Sequence, residues 1–448
     1  MKKILIRGGI SPLDNVNSEE LLLKDFSGSN IGNYLYQYSI FRTLCTDDTQ
    51  LYVDNYASNI KNAEQINKNY NQYILALADA FREDFIPQLK EYTNLIKKLE
   101  IPVIIAGVGL RAPYDTTLEE EFVFDNEVRE FINAVLEKST IVGVRGQITA
   151  DYLSKLGFRE GVDHQVIGCP SMYAHGESLN IKNLELDKSN KIALNLSEKS
   201  AENCVSFINN LTKEFRNYTF IPQIYDEFLL TYGGGPSIKS NSINYPSTLE
   251  HKMYEENKVK YFPNLQPWLK FMRETDLSIG TRLHGNIAAT ISGTPNITIT
   301  TDARTRELAE YHHLPSIPYF EIEDNHDLKN IVENMDLQSA AKQQPKNFKN
   351  YIEFLDKNQI DHIYQNDNQA TNTKFDETFS NGEYEGAIPI ISHCMYETLV
   401  KRLRVFNENT TQRTKRLNNN KINSINAKYK FKIKQLELEI DFLKNKSV

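Results

Sequence analysis

Residues 278–308, SIGTRLHGNIAATISGTPNITITTDARTREL, contain the pattern that decides the fold. The apolar run DLSIG ends just before an Arg-Leu-His segment, and a small-residue stretch with helical spacing follows at 286–292. A second β-branched run, NITITT, ends at another charged loop and leads into a further helical pattern. Strand, helix, strand and helix in this order form the repeating unit of a parallel sheet covered by helices.

The same alternation extends through most of the 448 residues. Predicted strands in the first half are KKILI, YILALA, VIIAGVG, TIVGVR and HQVIGCP, and those in the second half are KIALNLS, YTFIPQI, DLSIG and NITITT. A polar stretch near residues 178–190 interrupts the pattern before it restarts. We therefore predict an α/β protein with two Rossmann-like domains, 1–180 and 181–340, that face a cleft, followed by a helical extension at 341–448.

The extension differs from the body in charge. Residues 401–448 carry 13 Lys and Arg against 4 Asp and Glu, a local charge of +9, so the remaining chain carries −17 of the total of −8. Residues 366–386 have the composition of a loop or linker. Apolar residues then recur in the tail at steps of 4, 3, 4 and 3, namely Tyr429, Ile433, Leu436, Ile440 and Leu443. This short coiled-coil seam is compatible with a solvated helix, with self-association through residues 421–445, or with contact with an anionic membrane surface.

Several classes of protein and site are disfavoured by the sequence. No apolar run is long enough to span a membrane, and the N-terminal MKKILIRGGI is better interpreted as a first strand than as a signal peptide. These features predict a cytoplasmic protein. Peripheral contact with the inner face of the membrane is compatible with this prediction. The four cysteines are widely spaced, and Cys169 reads as a small buried residue. No metal motif is present, so we predict no metal and no cofactor. The acidic body argues against nucleic acid as a partner.

The loop TRLHG combines three features that suit a small anion. Arg282 offers a planar, permanently charged fork, and His284 can exchange a proton near neutral pH. Gly285 and Asn286 open the next helix, whose free N–H groups favour negative charge. We predict that this loop binds an anionic ligand.

Other strand-end loops supply further candidates. They are Asp302 and Arg304 after NITITT, Arg145 after TIVGVR, Gly109 and Arg111 after VIIAGVG, and Asn30, Gly32 and Asn33 in the glycine-rich turn GSNIGN. Arg306 reads as the partner of Glu310 along a helix. Asp79 and Arg82 read as a surface ion pair at least as readily as a functional pair.

Taken together, these segments resemble the polysaccharide pyruvyl transferases. The matching stretches are GSNIGN, IPVIIAGVGLRA, IVGVRGQITADYLSKLG, QVIGCPSMY and above all GTRLHGNIAATISGTPNITITTDAR, which together span most of residues 1–310. The resemblance implies a GT-B-like fold and transfer of a pyruvyl group from phosphoenolpyruvate onto a sugar as a ketal. The sugar acceptor would belong to a cell-surface polysaccharide or its precursor, either free or lipid-linked. Asn33 stands where the family has a carboxylate.

The resemblance also implies roles for individual residues. Arg282 would bind the carboxylate or phosphate of phosphoenolpyruvate, with Arg145 as a second cation. His284 would donate a proton or contact the phosphate. Asp302 and Arg304 would match an acidic–basic element of the family in which arginine replaces lysine. Two alternatives remain open at this point: a GT-B glycosyltransferase that uses a nucleotide sugar, and a non-catalytic assembly protein acting through its basic tail.

Overall fold

The structure consists of two parallel sheets with helices on their faces, which confirms the predicted α/β class. The computed structural model describes residues 1–365, 367 and 370–446, with the side chains of the last helix described as far as residue 422. The strands are β1 (Lys2–Ile6), β2 (Thr49–Val53), β3 (Gln72–Phe81), β4 (Val103–Leu110), β5 (Val142–Val144), β6 (His164–Val166), β7 (Ile192–Asn195), β8 (Tyr218–Phe220), β9 (Leu277–Gly280), β10 (Asn296–Thr300) and β11 (Ser316–Pro318).

Helices connect most successive strands. They are α1 (Ser18–Leu23), α2 (Asn33–Leu44), α3 (Ala63–Asn69), α4 (Ile86–Ile96), α5 (Asp125–Leu136), α6 (Gln147–Lys155), α7 (Glu202–Glu214), α8 (Tyr225–Gly233), α9 (Lys252–Glu255), α10 (Leu265–Arg273), α11 (Leu283–Ile291), α12 (Ala303–His312), α13 (Leu328–Glu333), α14 (Ser339–Lys357), α15 (Lys374–Asn381) and α16 (Tyr396–Lys446). Where the model describes the helices, none is long and apolar enough to cross a membrane.

Both sheets share one topology. The first half has the strand order β2-β1-β3-β4-β5-β6 and the second half has the order β11-β10-β9-β7-β8, and neighbouring strands are parallel throughout. In each sheet the first strand of the half lies between the second and the third, so the direction of winding reverses there. Ligands of such sheets bind beyond the carboxyl ends of the strands at this reversal.

A shared hydrophobic core joins the two halves. It includes α2 of the first half and Trp268 and Ile287 of the second, together with Phe348 of α14. The sequence predicts an amphipathic helix for α2, but every residue of α2 except Asn33 is buried, because α2 lies between the halves.

Helix α14 leaves the second half and packs on the first. Gln344 donates to the carbonyl oxygens of Met172 and Gly176 at 2.9 and 2.8 Å, and Asn358 donates to the Ile141 carbonyl oxygen at 3.1 Å. These bonds tie the end of the second half to the segment that follows β6 and to the residue that precedes β5. The predicted domain limits at residues 180 and 340 stay a prediction.

The prediction of a linker at residues 366–386 is wrong for α15. Thr373 caps this helix, and Asp376 forms a two-pronged ion pair with Arg42 of α2 at 2.7 and 2.8 Å. Phe375 and Phe379 pack against the ring of Tyr38. The partners of α15 are thus more than 300 residues away in sequence, and the local composition does not indicate them.

Helix α16 is anchored to the body at its start. The guanidinium groups of Arg402 and Arg413 lie over the rings of Tyr232 and Tyr225, at 4.2 and 4.0 Å from the ring centroids. Asn409 donates to the Glu19 carbonyl oxygen at 3.0 Å. The backbone continues as a helix through the predicted apolar seam, but the seam side chains from Tyr429 to Leu443 lie outside the described residues.

Candidate functional site

A cleft of about 400 Å³ opens between the two halves at the carboxyl ends of the strands. Its lining residues are Gly28, Ser29, Asn30, Asn33, Ala78, Asp79, Arg82, Arg111, Ser197, Glu198, Lys199, Gln223, Thr281, Arg282, Leu283, His284, Thr301, Asp302 and Arg304. The second half contributes the loops after β7 and β9, the pair between which its winding reverses. The structure therefore brings together seven of the predicted residues: Asn30, Asn33, Arg111, Arg282, His284, Asp302 and Arg304.

Charge in the cleft is opposite in sign to that of the body. The described lining residues comprise five cationic side chains and three carboxylates, although residues 1–400 carry −17 overall. A positive cleft attracts small anions. The acidic surface around it repels other anionic partners, which a basic body would attract. This charge pattern favours an anionic substrate.

Arg282 begins the loop after β9 and is already paired. It donates to the carboxylate of Glu198 at 2.7 Å and to the Leu196 carbonyl oxygen at 2.9 Å. Burial alone lowers the pKa of Arg282, but the nearby carboxylates of Glu227 and Glu198 raise it above its ordinary value. Part of this guanidinium is thus occupied by the protein's own groups, and Arg282 also braces the loops that follow β7 and β9.

His284 is held as a neutral imidazole. Burial, followed by the charges of Arg145 and Arg304, lowers its pKa to about 3. Its Nε2 lies 3.9 Å from Sγ of Cys169, which is buried as the sequence predicts. The start of α2 packs directly on the histidine, because a Cβ at Gly32 would lie 2.7 Å from His284 Cβ. In the free protein, His284 cannot act as a cationic acid near neutral pH.

Asp79 is buried and lines the cleft with Arg82, so of the two interpretations left open for this pair the structure disagrees with the surface ion pair. The carboxylate of Asp79 accepts hydrogen bonds from Arg82 at 2.5 Å and from Arg111 Nε at 2.8 Å, and Arg304 lies 3.9 Å away. Burial raises the pKa of Asp79, but the three guanidinium groups outweigh this effect and hold it below its usual value. Arg304 also lies 3.6 Å from Asp302, which caps α12. One carboxylate thus gathers arginines from three loops.

Arg145 lies behind the cleft wall and is fully buried. Its Nε donates to the Gly107 carbonyl oxygen at 3.4 Å, whereas Nη1 and Nη2 have no hydrogen-bond partner among the described residues. The charges of Arg145 and Arg304 both act on His284 and lower its pKa. The same two charges also act on Glu307. Because a buried guanidinium without partners is costly, this arrangement fits a site that an anion completes.

The remaining predicted residues shape the loops. Asn286 lies inside the second half. Its Oδ1 accepts hydrogen bonds from Asn195 Nδ2 and Ser278 Oγ, each at 2.9 Å, and its Nδ2 donates to the Gly280 carbonyl oxygen at 3.0 Å. Gly285 leaves room for Gln223, since a Cβ there would lie 2.5 Å from its Nε2. Neither residue lines the cleft.

The first-half turn is pinned to the second half. The side chain of Asn30 accepts from the Gly32 amide at 2.7 Å, and that of Asn33 donates to the Ser27 carbonyl oxygen at 2.8 Å. The Ile31 amide donates to the Gln223 carbonyl oxygen at 2.9 Å. Gly109, at the end of β4, lies near Arg145 and Glu307 rather than in the cleft. The turn therefore holds the cleft walls together.

Four residues at or near the cleft escape the sequence prediction: Glu198, Lys199, Gln223 and Glu307. Gln223 is fully buried, and neither its Oε1 nor its Nε2 has a partner in the part of the chain that the model describes. The strand-end rule could have found the first three, because they follow β7 and β8. Glu307 lies on α12 and carries no comparable local signal.

The ion pair predicted between Arg306 and Glu310 is confirmed at 2.8 Å. Within the described ranges, no group of three or more His, Cys, Asp or Glu side chains is arranged to hold a metal ion.

Comparison with known proteins places the chain in a family. A family model described as polysaccharide pyruvyl transferase matches residues 33–303, and no curated protein matches. Among solved structures, a functionally uncharacterised protein from Klebsiella pneumoniae is 15% identical, with 69% of this chain and 88% of that chain covered and a TM-score of 0.33. UDP-GlcNAc 2-epimerase from Neisseria meningitidis bound to UDP-GlcNAc is 12% identical, with 80% and 100% covered and a TM-score of 0.42.

A third solved structure, UDP-GlcNAc 2-epimerase from Methanocaldococcus jannaschii in complex with UDP-GlcNAc and UDP, is 14% identical, with 80% and 99% covered and a TM-score of 0.37. These structural similarities are too weak to carry the assignment, which rests on the family model. That model spans more than half of the chain and confirms the resemblance predicted from the sequence. The chain belongs to the polysaccharide pyruvyl transferase family and is a transferase.

Proposed function

We propose that the cleft binds phosphoenolpyruvate and transfers its pyruvyl group onto two hydroxyls of a sugar, forming a ketal. Protonation of the methylene carbon makes C2 electrophilic, and one sugar hydroxyl adds to C2 and loses its proton. The bond between C2 and the phosphate oxygen then breaks, and phosphate leaves with the electron pair. The second hydroxyl adds to C2 and loses its proton, so the products are the ketal and inorganic phosphate.

The observation that carries this proposal concerns the two terminal nitrogens of the Arg145 guanidinium, Nη1 and Nη2. These nitrogens are buried and have no hydrogen-bond partner within the described ranges, and the charge of Arg145 acts on His284. Arg304 also acts on His284, and its Nε has no hydrogen-bond partner among the described residues. Phosphoenolpyruvate carries a carboxylate and a phosphate close together, so it needs several fixed cations.

The roles follow from the pairing of each group. Arg304 binds the donor from the cleft lining, Arg145 adds its charge from behind the cleft wall, and both stabilise charge on the leaving phosphate. Arg282, which shares its charge with Glu198, holds the loop and offers its remaining donors to the anion. His284 becomes protonated only once an anion offsets the two arginines, and it then serves as the acid or assists phosphate departure. The chain itself supplies these groups, and no cofactor enters the proposal.

Turnover of phosphoenolpyruvate is the direct test. We expect the full-length protein to release phosphate from phosphoenolpyruvate only when a suitable cell-envelope glycan precursor is present. The glycan should gain the mass of pyruvate less one water, measured by mass spectrometry. Omitting the glycan is the control, because the ketal requires its hydroxyls. Glycan modification without phosphate release would contradict the proposed chemistry.

A glycosyltransferase that uses a nucleotide sugar is the alternative. Ligand binding to the native state raises the melting temperature, so thermal shift separates the two proposals. Stabilisation by phosphoenolpyruvate and not by nucleotide sugars supports the pyruvyl donor, and the reverse result supports the alternative.

We further propose a cytoplasmic protein whose residues 421–445 self-associate through the apolar seam. Light scattering on the full chain and on a chain ending at residue 415 tests this, since the truncated chain keeps the anchor at Arg402 and Arg413. A monomer in both cases contradicts self-association. Tail-dependent flotation with anionic vesicles would instead indicate membrane contact.

A further inference from the structure

Helix α12 of the second half places a carboxylate in the first half. The two oxygens of Glu307 accept hydrogen bonds from the backbone amide and the hydroxyl of Thr149, each at 2.8 Å. Thr149 is the third residue of α6, and its amide is one of those that the helix leaves unpaired at its N-terminus. Glu307 thus caps α6 from the opposite half of the molecule.

The first half leaves room for this side chain. The N-cap of α6 is Gly146, which has no side chain to cap the helix itself. A Cβ at Gly146 would lie 2.6 Å from Glu307 Cβ, and a Cβ at Gly109 would lie 3.3 Å from Glu307 Oε1. The hydroxyl of Thr149 in turn accepts from the Leu110 amide at 2.9 Å, so the contact extends to the end of β4.

Arg145 directly precedes Gly146, the N-cap of this helix. Its Nη1 and Nη2 are the terminal nitrogens that have no hydrogen-bond partner among the described residues. Two cations face Glu307: Arg145 from the loop after β5, and Arg304 from its own helix. Burial raises the pKa of Glu307 to about 7, although the bonds from Thr149 and the two arginines act in the opposite direction. Its charge therefore changes near neutral pH, beside the cations that the proposed donor needs.

We propose that Glu307 is a positioning residue of the donor site. By capping α6 across the boundary between the halves, it fixes the loop that carries Arg145. It thereby keeps Arg145, Arg304 and His284 close enough to act on one anion. Its negative charge offsets the same cations until an anion arrives. This inference rests on the proposed function for the identity of the donor, but not for the binding of an anion.

Two substitutions separate the cap from the charge. Glu307→Ala removes both, whereas Glu307→Gln keeps an oxygen that can accept from the Thr149 amide and removes only the charge. Glu310→Ala is the matched control, because Glu310 lies one turn further along α12 and pairs at the surface with Arg306. We measure hydrogen exchange of residues 147–152, sulfate affinity by calorimetry, and KM and kcat with phosphoenolpyruvate.

We expect Glu307→Ala to increase exchange at the start of α6, to weaken sulfate binding, and to lower kcat/KM roughly 10²-fold through a misplaced Arg145. Glu307→Gln should restore the protection and bind sulfate at least as tightly as wild type. Sulfate keeps two charges across the range studied, so the affinity of wild type should fall as pH rises through 7 and Glu307 ionises. The part of this pH dependence that comes from Glu307 should be absent in Glu307→Gln, which keeps only the dependence that comes from proton uptake by His284, and Glu310→Ala should match wild type.

Two results overturn the inference. One is unchanged sulfate affinity in Glu307→Ala, even with a lower melting temperature, because Glu307 would then be only structural. The other is a failure of Glu307→Gln to restore protection of α6. If wild type binds sulfate in a Glu307-dependent manner but does not turn over phosphoenolpyruvate, the positioning role is supported and the proposed function fails instead.

Discussion

Replacing Arg145 with methionine is expected to reduce turnover of phosphoenolpyruvate by about 10²–10³-fold without loss of folding stability. The loss of activity follows from the removal of a cation whose terminal nitrogens donate to no group in the described part of the chain. An anion that develops charge on leaving depends on such preorganised partners.

The stability of this variant follows from the same observation. Arg145 is fully buried, and among the residues that the structure describes only its Nε has a hydrogen-bond partner, the Gly107 carbonyl oxygen at 3.4 Å. Replacing a poorly compensated buried charge with an apolar side chain of similar length is neutral or stabilising. Glu307 keeps its bonds from Thr149 and is protonated more readily once the neighbouring cation is gone. We therefore expect a free energy of unfolding equal to or above that of wild type.

Arg42 provides a matched control, since it is a buried arginine outside the cleft with its nitrogens fully engaged. It bonds both oxygens of Asp376, the hydroxyl of Tyr364 and the Ala370 carbonyl oxygen, at 2.7 to 2.8 Å. Breaking a buried pair costs about 3–5 kcal/mol, so Arg42→Met should be destabilised while its folded fraction keeps its activity.

Urea unfolding and steady-state kinetics on both variants test the contrast. A large loss of stability in Arg145→Met would show that protein groups, and not a ligand, satisfy this guanidinium. Wild-type kinetics in Arg145→Met would remove Arg145 from the donor site and leave Arg304 and Arg282 as the candidate cations.

The parts of the fold that sequence reasoning misses are those that depend on edges and on distant partners. Strands β2 and β11 are edge strands whose side chains are partly exposed and which lack the continuous apolar run of the central strands, whereas the edge strands β6 and β8 lie within predicted segments. Helix α15 is polar and short, and its stability depends on Arg42 and Tyr38, far away in the chain. The central strands carry their signal locally and were predicted.

The same distinction applies to the site. Arg282, His284 and Arg304 follow strand ends, and topology brings such loops to one edge. The sequence cannot show that Arg282 is paired with Glu198 while the terminal nitrogens of Arg145 have no partner among the described residues, because such pairings join separate loops. Glu307 acts on a residue 158 positions earlier in the chain, and nothing in its local sequence indicates this contact.

Binding of an anion should protonate His284. In the free protein, burial and the charges of Arg145 and Arg304 lower the pKa of His284 to about 3, so the imidazole is neutral at pH 6.5. Burial is the largest cause of this low pKa and remains in the complex, but a dianion beside the two arginines offsets their charge and attracts a protonated imidazole, so the pKa should rise on binding. The complex therefore takes up a proton, and affinity should increase as pH falls through the range below 7.

Calorimetry in buffers with different ionisation enthalpies measures this uptake. Sulfate is the probe because its own charge is constant, and Glu307→Gln is the background because Glu307 also titrates near pH 7. We expect uptake of a fraction of a proton per sulfate at pH 6.5 and almost none at pH 8. Adding His284→Gln should abolish the uptake. Adding His175→Gln should leave it unchanged, although burial also lowers the pKa of His175, to about 4, because that histidine is outside the cleft.

The uptake decides the role of His284 in turnover. A histidine that gains its proton only with the donor bound is charged when the methylene carbon or the leaving phosphate needs an acid, and it is neutral otherwise. His284→Gln should then lower kcat by about 10²–10⁴-fold, the usual contribution of a general acid. If the double variant still takes up the same fraction of a proton, another group accepts it. The acid must then be sought elsewhere in the cleft, and His284 would retain at most a hydrogen bond to the phosphate.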